Sequence, residues 1–424
     1  MKMKLPFLIA LLASIYIEDG TFVSISDQVF SITPGTDEEV EIIKNLTSKD
    51  EIELCHPDSA HNIKMNSDVH LYMNISDLDF VKDLLHKNGI KYKVMVENAQ
   101  ELIEMQTNKE SIGPRSFTGS FYEQYHPLEE IYSWINKISH EHPDMLEIIL
   151  IGSSFEKRPL YVLKLTGRRN SPKRAMWIDC GIHSREWISP AFCIWFVQNA
   201  IDSYNKNPEI TQMLDNMEIY VLPVMNADGY VYTWTTRRMW RKNRSRYEGN
   251  NCVGTDLNRN FDAGWCTKGA SHDPCDNTYC GPYPESEPEV SAVAKFLREK
   301  KDSMKLYFTI HSYGQMLLFP YSYSYNQAPN HDELQHLADE ATQKIQRYYR
   351  TRYSSGPGAT TIYLAPGGSD DWAYDLGIKY SFTIELRDTG RYGFLLPPQL
   401  IQPTCLEVLT AIKTITSHVI KNTE

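Results

Sequence analysis

Hydrophobic positions between residues 24 and 98 change their spacing several times within a short stretch. Runs in which every second residue is apolar predict strands, and apolar residues three and four apart predict amphipathic helices. The predicted strands are Gln28–Ile32, Glu51–Leu54, Val69–Met73 and Ile90–Val96, and the predicted helices are Glu38–Leu46 and Leu78–His86. The resulting order, βαββαβ, is typical of a ferredoxin-like domain. A further helical pattern follows at Asn98–Lys109.

From about Tyr122 the pattern changes to continuous apolar, β-branched runs that are separated by longer helical stretches. Such runs are typical of strands covered on both faces, as in α/β domains. They occur at Leu146–Ile151, Leu160–Leu165, Ala175–Ile178, Ile219–Met225, Leu306–Ile310 and Ser381–Leu386. Helical patterns lie between them, for example at Trp187–Tyr204 and Glu333–Tyr349. The pattern therefore predicts an α/β domain of about 300 residues.

The first residues have the pattern of a secretion signal. Two lysines precede a 13-residue apolar run, Leu5–Ile17, which is too short to cross a membrane as a helix. We expect a signal peptide over residues 1–23, and no later run is long enough for a membrane span. Acceptor sequons for N-glycosylation at Asn45 and Asn74 agree with an extracellular protein.

Composition and charge narrow the class of protein. The 424 residues are 42% hydrophobic and 23% charged, which is typical of globular proteins and excludes collagen-like and disordered chains. The net charge of −11 argues against nucleic acid as a partner. Residues 24–115 contain 9 Lys and Arg against 17 Asp and Glu, so most of the negative charge belongs to the first domain.

A candidate metal site follows one of the strands predicted in the larger domain. His183 and Glu186 are three residues apart, and imidazole and carboxylate are common zinc ligands. His311, at the end of another predicted strand, is a candidate for the third ligand of a catalytic zinc. The same spacing in His126 and Glu129 lies at a predicted helix start, where glutamate is a common capping residue. Spacing alone therefore supports zinc binding and ordinary surface histidines about equally.

The order of several motifs resembles that of the zinc metallocarboxypeptidases of the pancreatic A/B type. His183-x-x-Glu186 is followed by His311-Ser-Tyr313 and then by Glu385 near the end of the last predicted strand. The resemblance covers a signal peptide, an activation domain, a connecting helix and a catalytic domain. It implies the carboxypeptidase fold, an α/β fold whose mixed eight-stranded sheet has helices on both faces, preceded by the ferredoxin-like domain.

This resemblance implies one Zn²⁺ per catalytic domain and a role for each motif residue. His183, Glu186 and His311 would hold the zinc, which lowers the pKa of a bound water towards about 7. Glu385 would act as the general base. Asp256 matches the carboxylate that orients the first zinc histidine.

Further positions match substrate-binding residues of the family. An exopeptidase must bind the free C-terminal carboxylate of its substrate, and a bidentate guanidinium suits that purpose. Arg259 with Asn258 matches this role, and Arg244 matches the residue that stabilises the developing oxyanion. The resemblance places five more residues along the substrate path: Arg185, Arg241, Ser312, Tyr313 and Tyr363.

The segment from Met239 to Arg246, which contains Arg244, has a second interpretation. Its cluster of basic residues is also typical of a surface loop that binds polyanions. The resemblance to the family favours catalysis. A glycan beside Arg244 would crowd the cleft, so we expect the sequon at Asn243 to be unmodified.

Asp370 is the residue that predicts substrate preference. It falls where A-type enzymes have an apolar residue and B-type enzymes have Asp. A carboxylate at the floor of the side-chain pocket would pair with Lys or Arg and disfavour apolar side chains. We therefore expect removal of C-terminal Arg or Lys from peptides and proteins, and we assign the neighbouring Asp371 to capping the following helix.

Arg115 lies among turn formers after the predicted connecting helix. Activation domains of this family cover the active-site cleft and are released by trypsin-like proteases, such as thrombin or plasmin. We expect cleavage between Arg115 and Ser116, which gives an activation segment at 24–115 and a catalytic domain at 116–424. An ordinary linker arginine is the alternative interpretation.

The eight cysteines allow on the order of a hundred full pairings, so their spacing does not decide their state. Similarity to B-type enzymes implies the disulfides Cys180–Cys193, Cys252–Cys275 and Cys266–Cys280. Cys55 and Cys405 are then expected to be buried free thiols, because a bond between them would tether the activation domain after cleavage.

Among B-type enzymes, the features resemble a plasma branch. The supporting features are the two sequons of the activation segment and the segments Ser120–His126, Trp187–Cys193 and Gln402–Cys405. The resemblance implies a circulating zymogen that trims C-terminal Lys from partly degraded fibrin and so slows fibrinolysis. The alternatives are a digestive or granule enzyme with the same chemistry and, from another class, an inactive binding protein on this scaffold. The intact candidate ligands and Glu385 favour an enzyme.

Overall fold

The structure is a computed structural model that describes residues 15–18, 21–24, 26–49, 52–107, 121–167 and 174–422. Contacts divide the chain into two compact units. One unit contains the chain up to Pro57 together with Ile63–Glu104, and the other contains Asp58–Asn62 and the chain from Met105. The expected cleavage site at Arg115 and Ser116 lies outside the described residues.

The first unit is built on a four-stranded antiparallel sheet. A two-stranded ribbon, β1 (Ile15–Glu18) and β2 (Thr21–Ser24), precedes it in the chain. The remaining elements are β3 (Gln28–Ile32), α1 (Asp37–Thr47), β4 (Ile52–His56), β5 (Val69–Met73), α2 (Leu78–Lys87), β6 (Tyr92–Val96) and α3 (Ala99–Thr107). The sheet order is β4-β5-β3-β6, which confirms the predicted ferredoxin-like arrangement.

Local sequence explains the helices of this unit. Thr36 precedes α1, and its hydroxyl accepts a hydrogen bond from the backbone N–H of Glu39 at 3.2 Å. Threonine is a favoured residue at this position because it satisfies an N–H that has no partner within the helix. The apolar residues Val40, Ile43 and Leu46 then lie on one face of α1 and are buried.

The second unit is built on a mixed eight-stranded sheet with the order β13-β12-β14-β11-β9-β10-β8-β7. Its strands are β7 (Leu146–Ser153), β8 (Pro159–Leu165), β9 (Arg174–Cys180), β10 (Met217–Leu222), β11 (Met304–His311), β12 (Met316–Phe319), β13 (Ser354–Pro357) and β14 (Tyr380–Glu385). The four central strands β10, β9, β11 and β14 are parallel to one another. This sheet confirms the expected α/β fold.

Nine α-helices belong to the described part of this unit after the connecting region. They are α4 (Leu128–Glu141), α5 (Ile188–Ser203), α6 (Pro208–Asn216), α7 (Ala227–Thr235), α8 (Pro288–Lys300), α9 (His331–Tyr349), α10 (Gly358–Thr361), α11 (Ser369–Asp375) and α12 (Ile401–Asn422). No helix among the described residues is long and apolar enough to cross a membrane.

Both faces of the central sheet are buried. Along β9, Met176 and Ile178 belong to one hydrophobic cluster, whereas Ala175 and Trp177 belong to a second cluster on the other face. This alternation follows from the period of two in a strand. Because the central strands are parallel, their carboxyl ends meet at one edge of the sheet, where α/β proteins usually bind ligands.

The described residues contain three disulfides: Cys180–Cys193, Cys252–Cys275 and Cys266–Cys280. These are the pairs that similarity to the B-type enzymes implies. Cys55 and Cys405 are buried and belong to none of these disulfides, as expected. The first disulfide joins the end of β9 to α5, next to the candidate metal site.

Candidate active site and metal centre

The candidate metal ligands meet at the carboxyl ends of β9 and β11. The chain turns sharply after β9 at Gly181, whose φ of 67° favours glycine. His183 and Glu186 follow in this loop, with His183 Nδ1 2.7 Å from Glu186 Oε1. His311 is the last residue of β11, and its Nδ1 lies 3.2 Å from His183 Nδ1 and 3.4 Å from Glu186 Oε2.

The arrangement of these three side chains fits zinc. One ligand atom from each residue lies within 4.8 Å of the others, and all three residues are buried. Two imidazoles and a carboxylate form a common donor set of catalytic zinc, which leaves one position open. The backbone N–H of Ser312 also donates to Glu186 Oε2 at 3.1 Å, which fixes the orientation of that carboxylate.

A second cluster of possible metal ligands consists of Cys266, His272 and Cys280. The two cysteines form a disulfide with each other. A disulfide sulfur is not a thiolate, and zinc binding by cysteine needs the thiolate. This cluster is therefore no candidate for zinc.

Asp256 orients His183 by contacting the ring nitrogen that does not face Glu186. Its Oδ1 lies 3.1 Å from His183 Nε2, and its Oδ2 accepts hydrogen bonds from Arg241 Nε at 3.1 Å and from an Arg241 terminal nitrogen at 2.8 Å. Burial alone would raise the pKa of Asp256, but Arg241 and His183 hold it well below its usual value. Asp256 thus remains a carboxylate, and Nδ1 of His183 faces Glu186 and His311.

The two candidate arginines of the segment Met239–Arg246 lie in different surroundings. Arg241 is buried, bonds Asp256 and lies 3.9 Å from the Asp58 carboxylate. The guanidinium of Arg244 instead lies over the rings of Tyr232 and Trp240, at 3.7 and 4.5 Å from their centroids. Arg244 is therefore held by aromatic contacts, whereas Arg241 is tied to the carboxylate that contacts His183. The expected role of Arg244 at a developing oxyanion stays a prediction.

Arg259, the expected carboxylate-binding residue, is almost fully buried and already has an anionic partner. One of its terminal nitrogens donates to Asp58 Oδ2, and the other donates to the backbone oxygen of Asn258 at 2.8 Å. The side-chain oxygen of Asn258 accepts from the backbone N–H of Ser369 at 3.0 Å. The segment Asp58–Asn62 belongs to the same compact unit as Arg259.

Sequence reasoning missed Asp58. It lies after a cis peptide bond between His56 and Pro57, in a stretch where Pro-Asp is typical of an ordinary turn. No pattern distinguishes this aspartate from other turn residues. Only the three-dimensional structure brings it to Arg259.

Glu385 ends β14 beside the metal ligands. The parallel register pairs Glu385 directly with His311 on the neighbouring strand. Burial raises the pKa of Glu385 to about 8, although His311 opposes the shift. The register thus places a carboxylate next to the candidate zinc ligands, where a general base is needed.

Aromatic residues line the next part of the site. The ring of Tyr313 packs edge-on against Phe394 with centroids 4.9 Å apart, and the guanidinium of Arg185 lies 4.4 Å from the Phe394 centroid. Arg238 donates to the backbone oxygens of Arg185 and Phe394 at 2.8 and 2.7 Å. Sequence reasoning missed Arg238 and Phe394 because neither belongs to the motifs that carry the resemblance.

Charged groups of the site affect the hydroxyl of Tyr363. The pKa of its hydroxyl is raised well above the usual value, first by burial and then by the charge of Asp58, while Arg241 and Arg259 oppose this shift.

The acids Asp370 and Asp371 begin α11 and are both buried. Oδ2 of Asp370 has no hydrogen-bond partner among the described residues. Asp371 accepts hydrogen bonds from the backbone N–H groups of Ser322 and Tyr323 at 2.8 Å. The expectation that Asp371 caps the helix is therefore wrong, since Gly368 occupies the capping position and the Asp371 carboxylate binds another loop.

Comparisons with known proteins identify the family of the chain. The family described as zinc carboxypeptidase matches residues 131–411, and the family described as carboxypeptidase activation peptide matches residues 30–106. The chain belongs to the zinc carboxypeptidase family. Zn²⁺ is accordingly its cofactor, and the chain is a zymogen of the carboxypeptidase B type.

Individual relatives cover nearly the whole of this zinc carboxypeptidase. Carboxypeptidase B2 of Rattus norvegicus is 52% identical over 422 residues, which are 99% of this chain and 100% of the relative. Carboxypeptidase B of Homo sapiens is 47% identical over 396 residues, which are 93% and 94% of the two chains. A crystal structure of thrombin activatable fibrinolysis inhibitor has a TM-score of 0.90 and 52% identity, and the alignment covers 94% of this chain and 100% of that one.

Two of the three sequons of this zinc carboxypeptidase differ from the third in their surroundings. Asn45 is exposed on α1 and Asn74 is half-buried. Asn243 is fully buried, and its side-chain nitrogen donates to Glu287 at 2.7 Å and to Glu289 at 3.3 Å. A glycan on Asn243 is incompatible with this burial, which is a different reason from the crowding near Arg244 that the sequence suggested.

Proposed function

We propose that the chain is a secreted zymogen whose processed form, residues 116–424, removes C-terminal Arg or Lys from peptides and proteins. The observation that carries the proposal is the buried carboxylate of Asp370, whose Oδ2 has no partner among the described residues. A cationic substrate side chain would supply that partner. An apolar side chain would leave Oδ2 of Asp370 without a partner, at a cost of about 1–3 kcal/mol or more.

In the proposed mechanism, Arg259 and Asn258 bind the C-terminal carboxylate of the substrate, and Tyr363 packs over it. His183, Glu186 and His311 would hold Zn²⁺, which would supply Lewis acidity and lower the pKa of a bound water. Glu385 accepts a proton from the attacking water and passes it to the leaving amine.

The negative charge that develops on the carbonyl oxygen needs a cation held close to the zinc ligands. We assign this role to Arg241. Its guanidinium is fixed by two hydrogen bonds to Asp256, and Asp256 in turn contacts His183. A cation held by such contacts needs little reorganisation when the charge forms.

The inactive state of the zymogen is explained in this proposal by Asp58. Its carboxylate pairs with Arg259 and lies 3.9 Å from Arg241, so it occupies the cations that would bind the substrate. Cleavage after Arg115 by a trypsin-like protease, such as thrombin or plasmin, would release the segment that carries Asp58.

Secretion is the compartment that the chain's features favour. Three disulfides are typical of proteins that fold in an oxidising environment. The apolar run at Leu5–Ile17 supplies a signal-peptide pattern, and glycans at Asn45 and Asn74 would lie on the activation segment.

Paired substrates test the enzymatic proposal. Purified zymogen is incubated with hippuryl-Arg or hippuryl-Phe, before and after trypsin treatment, with and without a zinc chelator. We expect Arg release only after cleavage, its loss with chelator and its recovery on adding Zn²⁺. The variant Arg115→Gln serves as the control for the cleavage site and should resist activation. Absence of zinc-dependent Arg release from the cleaved chain would overturn the proposal.

The same proposal extends to a role in plasma, where the enzyme would remove C-terminal Lys from partly degraded fibrin. It rests on the 52% identity to the thrombin activatable fibrinolysis inhibitor structure. Adding activated enzyme to a plasma clot should delay lysis, and the variant Glu385→Gln should not. If lysis times are equal for both proteins, a digestive or granule enzyme becomes the better assignment.

A further inference from the structure

A second buried aspartate lies beneath the metal ligands. Asp179 is fully buried on β9. It belongs to none of the motifs that carry the family resemblance. Behind His183 lies Asp256, which accounts for the orientation of that imidazole. His311 Nε2 contacts the hydroxyl of Thr309, and that hydroxyl also contacts the carboxylate of Asp179.

The strand register brings these side chains together. In the parallel pairing of β9 with β11, Thr309 is the direct partner of Asp179. Thr309 and His311 are two residues apart on β11, so their side chains lie on the same face of the sheet. Tyr307, two residues earlier, lies on that face as well, and all three are buried.

Asp179 accepts three hydrogen bonds, all from donors within these two strands. Its Oδ2 accepts from Trp177 Nε1 at 2.8 Å and from the Tyr307 hydroxyl at 2.7 Å. Its Oδ1 accepts from the Thr309 hydroxyl at 2.7 Å. An indole N–H can only donate, so this side of the carboxylate acts as an acceptor.

The donor count then fixes the hydrogen bond to His311. A threonine hydroxyl has a single hydrogen, and Thr309 directs it at Asp179. The oxygen can therefore only accept from His311 Nε2, which lies 3.1 Å away. With the hydrogen on Nε2, the lone pair of Nδ1 faces His183 and Glu186.

We propose that Asp179 is a positioning residue which, through Thr309, fixes the tautomer and ring orientation of His311 for zinc binding. Groups behind metal-bound histidines usually act in this way, and their loss typically lowers metal affinity 10- to 100-fold. The inference rests on the proposed zinc site of His183, Glu186 and His311. In this inference Asp179 orients His311, as Asp256 orients His183.

The test uses the purified uncleaved chain and measures the zinc dissociation constant by competition with a chelator. Thr309→Val keeps the shape of the side chain and removes the oxygen, so we expect roughly 10- to 100-fold weaker zinc binding. Thr309→Ser keeps the hydroxyl and should restore most of the affinity. Thr404→Val is the matched control, since Thr404 is also fully buried but donates to the backbone oxygen of Leu400 at 2.6 Å.

The unfolding temperature of the zinc-free protein separates positioning from general destabilisation. We expect Thr309→Val and Thr404→Val to lower it by similar amounts, while only Thr309→Val weakens zinc binding. Asp179→Asn should also weaken zinc binding, and if that variant does not fold, the threonine variants still decide.

Two results overturn the inference in distinguishable ways. If wild-type protein binds one zinc and Thr309→Val binds it within about twofold of wild type, the positioning role fails and the proposed function stands. If Thr404→Val weakens zinc binding as much as Thr309→Val, the positioning role also fails. If wild-type protein binds no zinc, the proposed function itself fails.

Discussion

Arg241 and Arg244 are three residues apart in one basic segment, yet their side chains have unrelated partners. Arg241 is buried against Asp256, whereas Arg244 stacks on Tyr232 and Trp240. In the sequence, the two arginines carry the same charge and lie in the same basic segment, so the pattern does not distinguish them. The difference arises from which side chain finds a buried carboxylate, and a sequence pattern does not contain that information.

The two arginines give a first prediction at the scale of single residues. Loss of a preorganised cation near the developing oxyanion lowers kcat by roughly 10²–10³. We expect this effect for Arg241→Ala with activated enzyme and hippuryl-Arg, and less than about a threefold change for Arg244→Ala. Zinc content and thermal unfolding check that both variants are folded. A larger loss for Arg244→Ala would restore the assignment based on sequence.

Asp370 gives a second prediction at this scale. Loss of one partner of a buried charge pair costs about 2–5 kcal/mol. We therefore expect Asp370→Ile to lower kcat/KM for hippuryl-Arg at least about 30-fold and to raise it for hippuryl-Phe. Asp370→Asn, which removes the charge and keeps the size, should lose Arg release without gaining Phe release. An unchanged ratio of Arg to Phe release in Asp370→Ile would remove Asp370 from the specificity pocket.

At the scale of elements, the long periodic segments were predicted well and the short edge strands were not. The predictions Gln28–Ile32 and Val69–Met73 coincide with β3 and β5. β12 and β13, with four residues each, were missed. β13 contains Gly and Pro, which are rare in strands, and it exists because it pairs with β12 at the edge of a large sheet.

The first turn of α8 carries a buried acid that gives a prediction about stability. Burial, together with the nearby carboxylates of Glu287 and Asp228, raises the pKa of Glu289 to about 7, although hydrogen bonds from the backbone oppose the shift. The folded state therefore holds this proton more tightly than the unfolded chain, whose glutamate has a pKa of about 4.3. The resulting stabilisation is complete below about pH 4 and is lost as the pH rises through 7.

Glu289→Gln should remove this pH dependence, because glutamine stays neutral. Between about pH 5 and pH 8 we expect the free energy of unfolding of wild type to fall by up to about 3 kcal/mol more than that of the variant. Chemical denaturation of both proteins at the two pH values measures this difference. Equal slopes with pH in the two proteins would show that Glu289 does not titrate in this range.

At the scale of the whole molecule, a short part of the activation segment pairs with arginines of the candidate active site. Asp58–Asn62 clusters with the catalytic unit, although most of the activation segment forms its own sheet. The Asp58 carboxylate bonds Arg259, which is the residue expected to bind the substrate's carboxylate. In the proposed function, a substrate would therefore compete with an internal anion until that anion is removed.

Removal of the charge of Asp58 should relieve this competition without cleavage. We expect uncleaved Asp58→Asn to hydrolyse hippuryl-Arg at least about tenfold faster than uncleaved wild type, since a neutral amide binds a guanidinium more weakly than a carboxylate does. Asp68→Asn is the matched control, because Asp68 is an exposed acid of the same segment. Equal basal rates for all three proteins would show that Asp58 does not restrain the zymogen.

The sequence by itself determined the βαββαβ order of the first unit and the α/β class of the second, because periodic burial is a property of the chain. The resemblance carried by the ordered motifs implied the roles of His183, Glu186, His311 and Glu385, and strand register brings the last two side by side. Only the tertiary structure decided which groups contact each buried charged side chain. Arg241 meets Asp256 15 residues along the chain, whereas Asp58 at Arg259 and Asp371 at the loop of Ser322 are contacts between segments far apart in the sequence. Such pairs form where burial makes an unpaired charge costly, and that cost depends on the folded environment rather than on local pattern.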